Sequence, residues 1–243
     1  MSRQQGRSTR KRNAPLKWVG VVVGVSLASL LTSTAGSAEE GRDPVALVRA
    51  IEREDSRSVE RNAEGVVLSL DLRREWCNRT NLATVARIQE LRELRLHSGA
   101  LDAAGVGSLA TSPSLSSLSF VCCGQLPAGV LSAAAKLPKI RRLELLASDP
   151  PSSEYMALAG MSNLTELVIT YSRNFTDVDF YNLENAPALR SVEIQSDALT
   201  PFATKMLSQF QFRFLTNALL SGKTVWSTNW QPHAERTEPR DKR

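Results

Sequence analysis

The hexapeptide Leu164-Thr-Glu-Leu-Val-Ile169 has apolar residues at its first, fourth and sixth positions. The same pattern recurs five more times in the chain. A short stretch in which apolar and other residues alternate is typical of a β-strand with one buried face. Successive copies start 24, 24, 25, 24 and 25 residues apart, which predicts one structural unit repeated six times. The other five copies begin at Val67, Leu91, Leu115, Ile140 and Leu189.

The second half of each unit carries a different pattern, in which two apolar residues lie three positions apart. This spacing is typical of the inward face of a helix or helical turn. Pro113, Pro138 and Pro187 lie just before the following strands, where a helix must end. Strands and helices are therefore predicted to alternate along the chain. The apolar pairs are Leu82 and Val85, Val106 and Leu109, Leu131 and Ala134, Tyr155 and Leu158, and Phe180 and Leu183.

Residues 67 to about 210 resemble the leucine-rich repeat family in its helix-bearing subtypes, and the leading segment is similar to the start of secreted bacterial members. The resemblance implies an α/β solenoid, or horseshoe, with a parallel β-sheet on the concave face and helices on the convex face. It also implies a binding function through the concave face. One feature departs from the family, whose Asn or Cys at the ninth position of the unit occurs only as Cys123. The other five units have Glu75, Gly99, Ser148, Ser172 and Asp197 there.

Both ends of the repeats are predicted to be capped. Asp43 and Pro44 begin a helix whose apolar residues Val45, Leu47, Val48 and Ile51 fall on one face, and a charged, polar turn follows. Pro201 begins a sixth helix, with Met206, Leu207 and Phe210 facing inward, but no seventh hexapeptide appears near Arg213. The predicted segments are 1–38 (signal peptide or anchor), 39–66 (N-terminal cap), 67–210 (six repeats), 211–230 (C-terminal cap) and 231–243 (disordered tail).

The first 38 residues have the layout of a secretory signal. A basic region to Lys17 precedes an apolar run from Trp18 to Leu31, and small residues lead to Ala38. Cleavage after Ala38 would export the protein to the periplasm or the extracellular space. The alternative is that residues 18–38 remain as an anchor and the protein is a membrane-tethered structural or scaffold component of the cell envelope. A mature N-terminus at Glu39 would distinguish the two.

The charge of the chain does not favour nucleic-acid binding. The net charge of +5 comes from 30 Lys and Arg against 25 Asp and Glu. Six of the basic residues and none of the acidic ones lie in residues 1–38, which leaves 24 basic and 25 acidic residues in the rest. Binding to a nucleic acid requires clustered cations on the folded part. The sequence therefore predicts a protein partner, with a glycan as the other possibility and a membrane only if the leader is retained.

Residues between the buried positions of each hexapeptide are predicted to line the concave face, because neighbours on a strand point to opposite sides. Val121, Leu146, Val168 and Tyr171 would form an apolar strip among charges of alternating sign, which suits a protein partner. The alternative is that acidic and basic residues pair across strands for solubility. The candidate binding face comprises Arg73, Arg95, His97, Val121, Arg142, Glu144, Leu146, Glu166, Val168, Thr170, Tyr171, Glu193 and Gln195.

No motif predicts an enzyme, a cofactor or a metal site. His97, near Asp71 and Arg95 on neighbouring strands, could belong to a Ser-His-Asp arrangement, although a solvated surface histidine fits the pattern better. Cys77 and Cys123 are predicted to be buried as small apolar residues. Strands two units apart are separated by roughly 10 Å, beyond disulfide range, which argues against a bond from Cys77 to Cys122 or Cys123. Asn78, Asn163 and Asn174 fit the N-glycosylation sequon, and Asn163 equally suits a turn.

Overall fold

The computed structural model describes residues 43–97, 99–203, 205, 217–220 and 223–226. They form an α/β fold with a nine-stranded sheet whose strands follow one another in chain order. The seven strands β2 to β8 are parallel, and the edge strands β1 and β9 are antiparallel to their neighbours. The strands are β1 (Val59–Arg61), β2 (Val67–Arg73), β3 (Glu93–His97), β4 (Ser117–Gln125), β5 (Arg142–Asp149), β6 (Glu166–Ser172), β7 (Ser191–Ser196), β8 (Asn217–Leu220) and β9 (Lys223–Trp226).

Each predicted hexapeptide supplies a strand, and the strands pair in register with the repeat. The fourth position of one copy pairs with the fourth position of the next, as Leu70 does with Leu94 and Leu94 with Leu118. The sixth positions pair in the same way. All of these side chains are buried, so the predicted core positions of the hexapeptides are confirmed. The sixth-position series is Leu72, Leu96, Phe120, Leu145, Ile169 and Ile194.

Helices or helical turns connect the parallel strands, and the predicted apolar pairs are buried against the sheet. In the segment between β5 and β6 a 3₁₀ helix, Ser152–Gly160, takes the place of an α-helix. The carboxylate of Glu154 in this segment accepts hydrogen bonds from the backbone N–H groups of Gly129 and Ser132, at the start of the preceding helix. The α-helices are α1 (Pro44–Glu54), α2 (Arg79–Val85), α3 (Ala103–Ser108), α4 (Val130–Ala134) and α5 (Asp177–Asn182).

The N-terminal end differs in two details from the prediction. Asp43 caps α1 and Leu47, Val48 and Ile51 are buried, but Val45 is 54% exposed and does not join the core. The polar segment after α1 contains the antiparallel strand β1 rather than only a turn. Arg61 links this strand to α1 and to the turn before β2, because its guanidinium donates hydrogen bonds to Glu52 and to the carbonyl of Gly65.

The C-terminal end adds a seventh parallel strand that the sequence pattern did not predict. β8 pairs with β7 through Ser191 and Asn217, which are 26 residues apart, and β9 then turns back beside it. The predicted inward residues Met206, Leu207 and Phe210 lie outside the described residues, as do the leader 1–38 and the tail 231–243. No helix among the described residues is long and apolar enough to cross a bilayer.

Candidate binding face

The face of the sheet turned away from the helices, here called the open face, carries three rows of side chains in register. Twelve of the thirteen predicted residues lie at strand positions that alternate with the buried positions. Eleven of them stand in these rows, and the twelfth, Gln195, is exposed in β7. Row one is Ser69, Glu93, Ser117, Arg142, Glu166 and Ser191; row two is Asp71, Arg95, Ser119, Glu144, Val168 and Glu193; row three is Arg73, His97, Val121, Leu146 and Thr170.

Tyr171 does not share this placement. It has a backbone φ of +56° and is 70% exposed, and the register between β6 and β7 shifts by one residue between Ile169 and Ser172. The extra residue forms a bulge, which ends the strict alternation at Thr170. The alternation that predicts an open-face position for Val168 therefore does not extend to Tyr171.

The same backbone feature recurs in other units. Arg74, Cys122 and Ala147 also have positive φ, and each directly follows the row-three residue of its strand. Residues other than glycine rarely adopt this conformation. It therefore recurs at one position of the unit, directly after the row-three residue, and at none of these four positions is the residue a glycine.

The arginines of the open face are paired with acidic side chains. Arg142 Nε and Nη2 lie 2.8 and 2.6 Å from Glu144 Oε1, and the Arg142 guanidinium also contacts Glu166. At the other end of the face, Arg73 bridges Asp55 at 3.1 Å and Asp71 at 3.2 Å. Much of the polar surface is thus neutralised internally, as the solubility alternative predicts. Exposed pairs of this kind add little to stability.

Glu144 is the most enclosed of these acids. Its side chain is only 14% exposed, and Ser119 Oγ donates a hydrogen bond to its Oε2 at 2.7 Å. Burial acts to raise the pKa of Glu144, but the hydrogen bonds from Ser119 and Arg142 outweigh it and hold the pKa below its ordinary value. Glu144 is therefore a fixed anion in the middle of the face.

An apolar area lies beside this ion network. Val121 and Leu146 are direct partners on the central strands β4 and β5, and both are partly exposed. Val168, on the next strand, pairs with Glu144 and Glu193 and is also partly exposed. These three side chains, here called the apolar strip, are the ones on the open face that gain most from being covered, because apolar surface leaves water on contact.

His97 lies beside Asp71, with His97 Nε2 3.0 Å from Asp71 Oδ1. The predicted proximity of His97, Asp71 and Arg95 is confirmed, because Asp71 on β2 pairs with Arg95 on β3 and His97 lies two residues further along β3. Ser119, the serine that pairs with Arg95, directs its hydroxyl to Glu144. The described residues therefore do not assemble a serine nucleophile hydrogen-bonded to His97, which hydrolysis by such a triad requires.

Hydroxyl and thiol groups at the ninth position of the repeating unit bond neighbouring strands together. Cys123 Sγ donates to the carbonyl of Leu96 at 3.3 Å, and one unit later Ser148 Oγ donates to the carbonyl of Phe120 at 3.1 Å. Ser172 Oγ donates to Asp149 at 2.7 Å and accepts from the N–H of Phe175. These buried groups satisfy backbone polar atoms that would otherwise lack partners.

All three cysteines are free. Cys77 is fully buried, its Sγ donates to the carbonyl of Leu72 at 2.9 Å, and burial raises the pKa of its thiol to about 12. A thiol with so high a pKa is a poor nucleophile and a poor metal ligand. Cys123 packs partly buried against the core. In the part of the chain that the structure describes, no three His, Cys, Asp or Glu residues are grouped so that they could hold a metal ion.

The predicted sequon asparagines take part in local hydrogen bonds. Asn78 accepts from the N–H of Asn81 and caps α2. Asn163 Nδ2 donates to the carbonyl of Pro138 at 2.6 Å, and Asn174 Nδ2 donates to the carbonyl of Pro150 at 3.4 Å. Asn163 lies in the turn that precedes β6, as the alternative reading of its sequence predicts.

No protein-family model matches the chain, and a comparison with curated proteins finds no significant match.

Protonation of His97 is expected to destabilise the fold. Burial lowers the pKa of His97 below its ordinary value of 6.5, and the nearby Asp71 carboxylate does not compensate. Near pH 6 the folded protein then binds fewer protons than the unfolded chain, so the free energy of unfolding falls as the pH falls through this range. NMR titration should give His97 a midpoint below 6.5. His97→Gln should flatten the pH dependence of stability between pH 7.5 and 5.5, and an unchanged dependence would contradict this assignment.

Proposed function

We propose that this chain is an exported leucine-rich repeat solenoid without catalytic activity, and that it binds a protein partner on its open face. In this proposal the open face is the concave lining of the solenoid and the helices form its convex side. The regular parallel pairing of six strands with one repeated set of buried positions supports the family assignment. The signal-like leader supports export.

The observation that carries the binding proposal is the apolar strip beside charges that are already paired. Val121, Leu146 and Val168 are partly exposed on the central strands of the sheet, while Arg142 is engaged by Glu144 and Glu166. Protein interfaces have this composition, with an apolar centre surrounded by polar groups. A partner that covers the strip removes apolar surface from water without leaving an unpaired charge beneath it.

Matched valine substitutions test the proposal. Val168→Glu places a carboxylate in the strip, whereas Val178→Glu makes the same change on the exposed surface of α5, where Val178 is 68% exposed. A partner is first isolated by affinity capture from the native source, and its affinity for each purified variant is then measured. Val168→Glu should weaken binding by at least about tenfold, as expected of a residue in the centre of an interface. Val178→Glu should not change it.

A glutamate at position 168 also lies between Glu144 and Glu193, so its effect on folding must be separated from its effect on binding. Val168→Ser removes the apolar contact without adding charge and should also weaken binding. Thermal unfolding of each variant identifies any loss of fold. The proposal fails if folded Val168→Glu and Val168→Ser bind the partner as tightly as the unsubstituted protein.

A further inference from the structure

A groove of about 510 Å³ lies at the edge of the sheet where the strands begin, and none of the residues that line it belongs to the three rows of the open face. Three cationic side chains line it, those of Arg92, Lys139 and Arg141, together with one acidic side chain, that of Glu90. Ser116 and Asn163 contribute polar groups to its wall. The groove therefore has a net charge of +2 on a folded part of the chain whose overall charge is close to zero.

Within the part of the chain that the structure describes, the cations of the groove form no ion pair, in contrast to those of the open face. Among the described residues, neither the Arg92 nor the Arg141 guanidinium has an ion pair or a side-chain hydrogen bond, while Arg73 and Arg142 each contact two acids. Lys139 Nζ donates to the carbonyl of Pro113. Two guanidinium groups are thus left with their planar sets of donors available to an anion from outside.

A continuous backbone ladder fixes the spacing of these arginines. Arg92 and Arg141 occupy the second position of their hexapeptides, and Ser116 occupies it in the unit between them. The N–H of Ser116 donates to the carbonyl of Arg92 at 2.9 Å, and the N–H of Arg141 donates to the carbonyl of Ser116 at 2.8 Å. Two strand spacings therefore separate the arginine backbones, which is roughly 10 Å.

The alternation continues beyond the groove. Thr165 donates its N–H to the carbonyl of Arg141 at 2.8 Å, and Arg190 donates its N–H to the carbonyl of Thr165 at 2.8 Å. Arginine and a small hydroxyl residue thus alternate over five successive units at one edge of the sheet. A ligand that follows this edge meets an arginine at every second unit.

We propose that this groove binds a linear acidic glycan, with acidic groups on alternate sugars engaging Arg92 and Arg141. Guanidinium groups bind carboxylate and sulfate oxygens in a bidentate manner. Between them, Ser116 Oγ donates to the carbonyl of Arg92 at 3.4 Å and retains its acceptor capacity for a neutral sugar hydroxyl. A nucleic acid fits less well, because its phosphates are much more closely spaced and the rest of the folded part lacks the excess of cations that such a polyanion requires. This site is independent of the protein-binding open face.

The test measures binding of the purified protein to a hyaluronan octasaccharide, which carries one carboxylate on every second sugar. The substituted protein has Arg92→Ser and Arg141→Ser together, since Ser116 shows that serine suits this position of the unit. The control protein has Arg57→Ser and Arg173→Ser, which remove the same charge from two exposed arginines elsewhere. Glucuronate alone and a single-stranded oligonucleotide of similar length complete the set of ligands.

The octasaccharide should bind, and glucuronate should bind far more weakly because it cannot span both arginines. The groove substitutions should lower the affinity by about tenfold or more, and the control substitutions by less than about threefold. Thermal unfolding should be the same for both. The proposal is overturned if the octasaccharide does not bind, if both pairs of substitutions weaken binding equally, or if the oligonucleotide binds more tightly than the glycan.

Discussion

Replacing Phe120 by alanine is expected to lower the free energy of unfolding by about 3–5 kcal/mol. Phe120 is fully buried in β4 and is among the largest of the buried side chains. Its backbone partners are Leu96 on one side and Leu145 on the other. Removal of the ring would leave a cavity in the middle of the stacked units, where backbone pairing on both sides prevents collapse. Urea unfolding followed by circular dichroism measures the loss.

The neighbouring residue provides the control. Val121 directly follows Phe120 on the same strand but lies in row three of the open face and is partly exposed. Val121→Ala should therefore cost less than about 1 kcal/mol, because little buried volume is lost. Equal losses from the two substitutions would mean that the faces of β4 are not divided as described.

The strands and the core could be predicted because their signal is local and repeated. Each hexapeptide has apolar residues at the same positions, so each of the six copies predicts the same strand independently of the others. The helical segments follow from the same reasoning, as Leu82 and Val85 in α2 show. Their exact helix type does not, since Ser152–Gly160 is a 3₁₀ helix with an equivalent apolar pair.

The positions of positive φ could not be predicted, because the residues that adopt it have no common chemistry. Arg74, Cys122, Ala147 and Tyr171 each directly follow the row-three residue of their unit. Tertiary contacts such as those of Ser148 and Ser172 hold the chain there, and they outweigh the local preference of each residue. Strand alternation alone therefore does not decide on which side of the sheet the exposed side chain of Tyr171 lies.

The composition of the open face followed from the sequence, but its pairing did not. Alternation alone places Arg142, Glu144 and Glu166 on one face. It does not predict that Arg142 forms ion pairs with both Glu144 and Glu166. Nor does it predict that Ser119 donates a hydrogen bond to Glu144. These choices depend on side-chain conformations across three strands. Because these contacts pair the charges with one another, the apolar strip is the part of the face that remains available to a partner.

Replacing Gly99 by alanine is expected to destabilise the protein by about 1–3 kcal/mol. An added Cβ would lie 2.5 Å from Cys77 Cβ and 2.6 Å from the carbonyl oxygen of Arg74, both in the preceding unit. The backbone there cannot retreat easily, because the N–H of Cys77 is bonded to that same Arg74 carbonyl at 3.0 Å. Thermal and urea unfolding measure the effect.

Gly107 provides a control of opposite sign. It lies in α3, where an added Cβ would meet no atom within 4 Å. Alanine is favoured over glycine in a helix by about 0.5–1 kcal/mol, so Gly107→Ala should stabilise the protein. If Gly99→Ala also stabilised the protein, that result would contradict the close approach of Gly99 to Cys77 in the preceding unit. At position 99, Cys77 and the carbonyl of Arg74 occupy the space that any side chain would need.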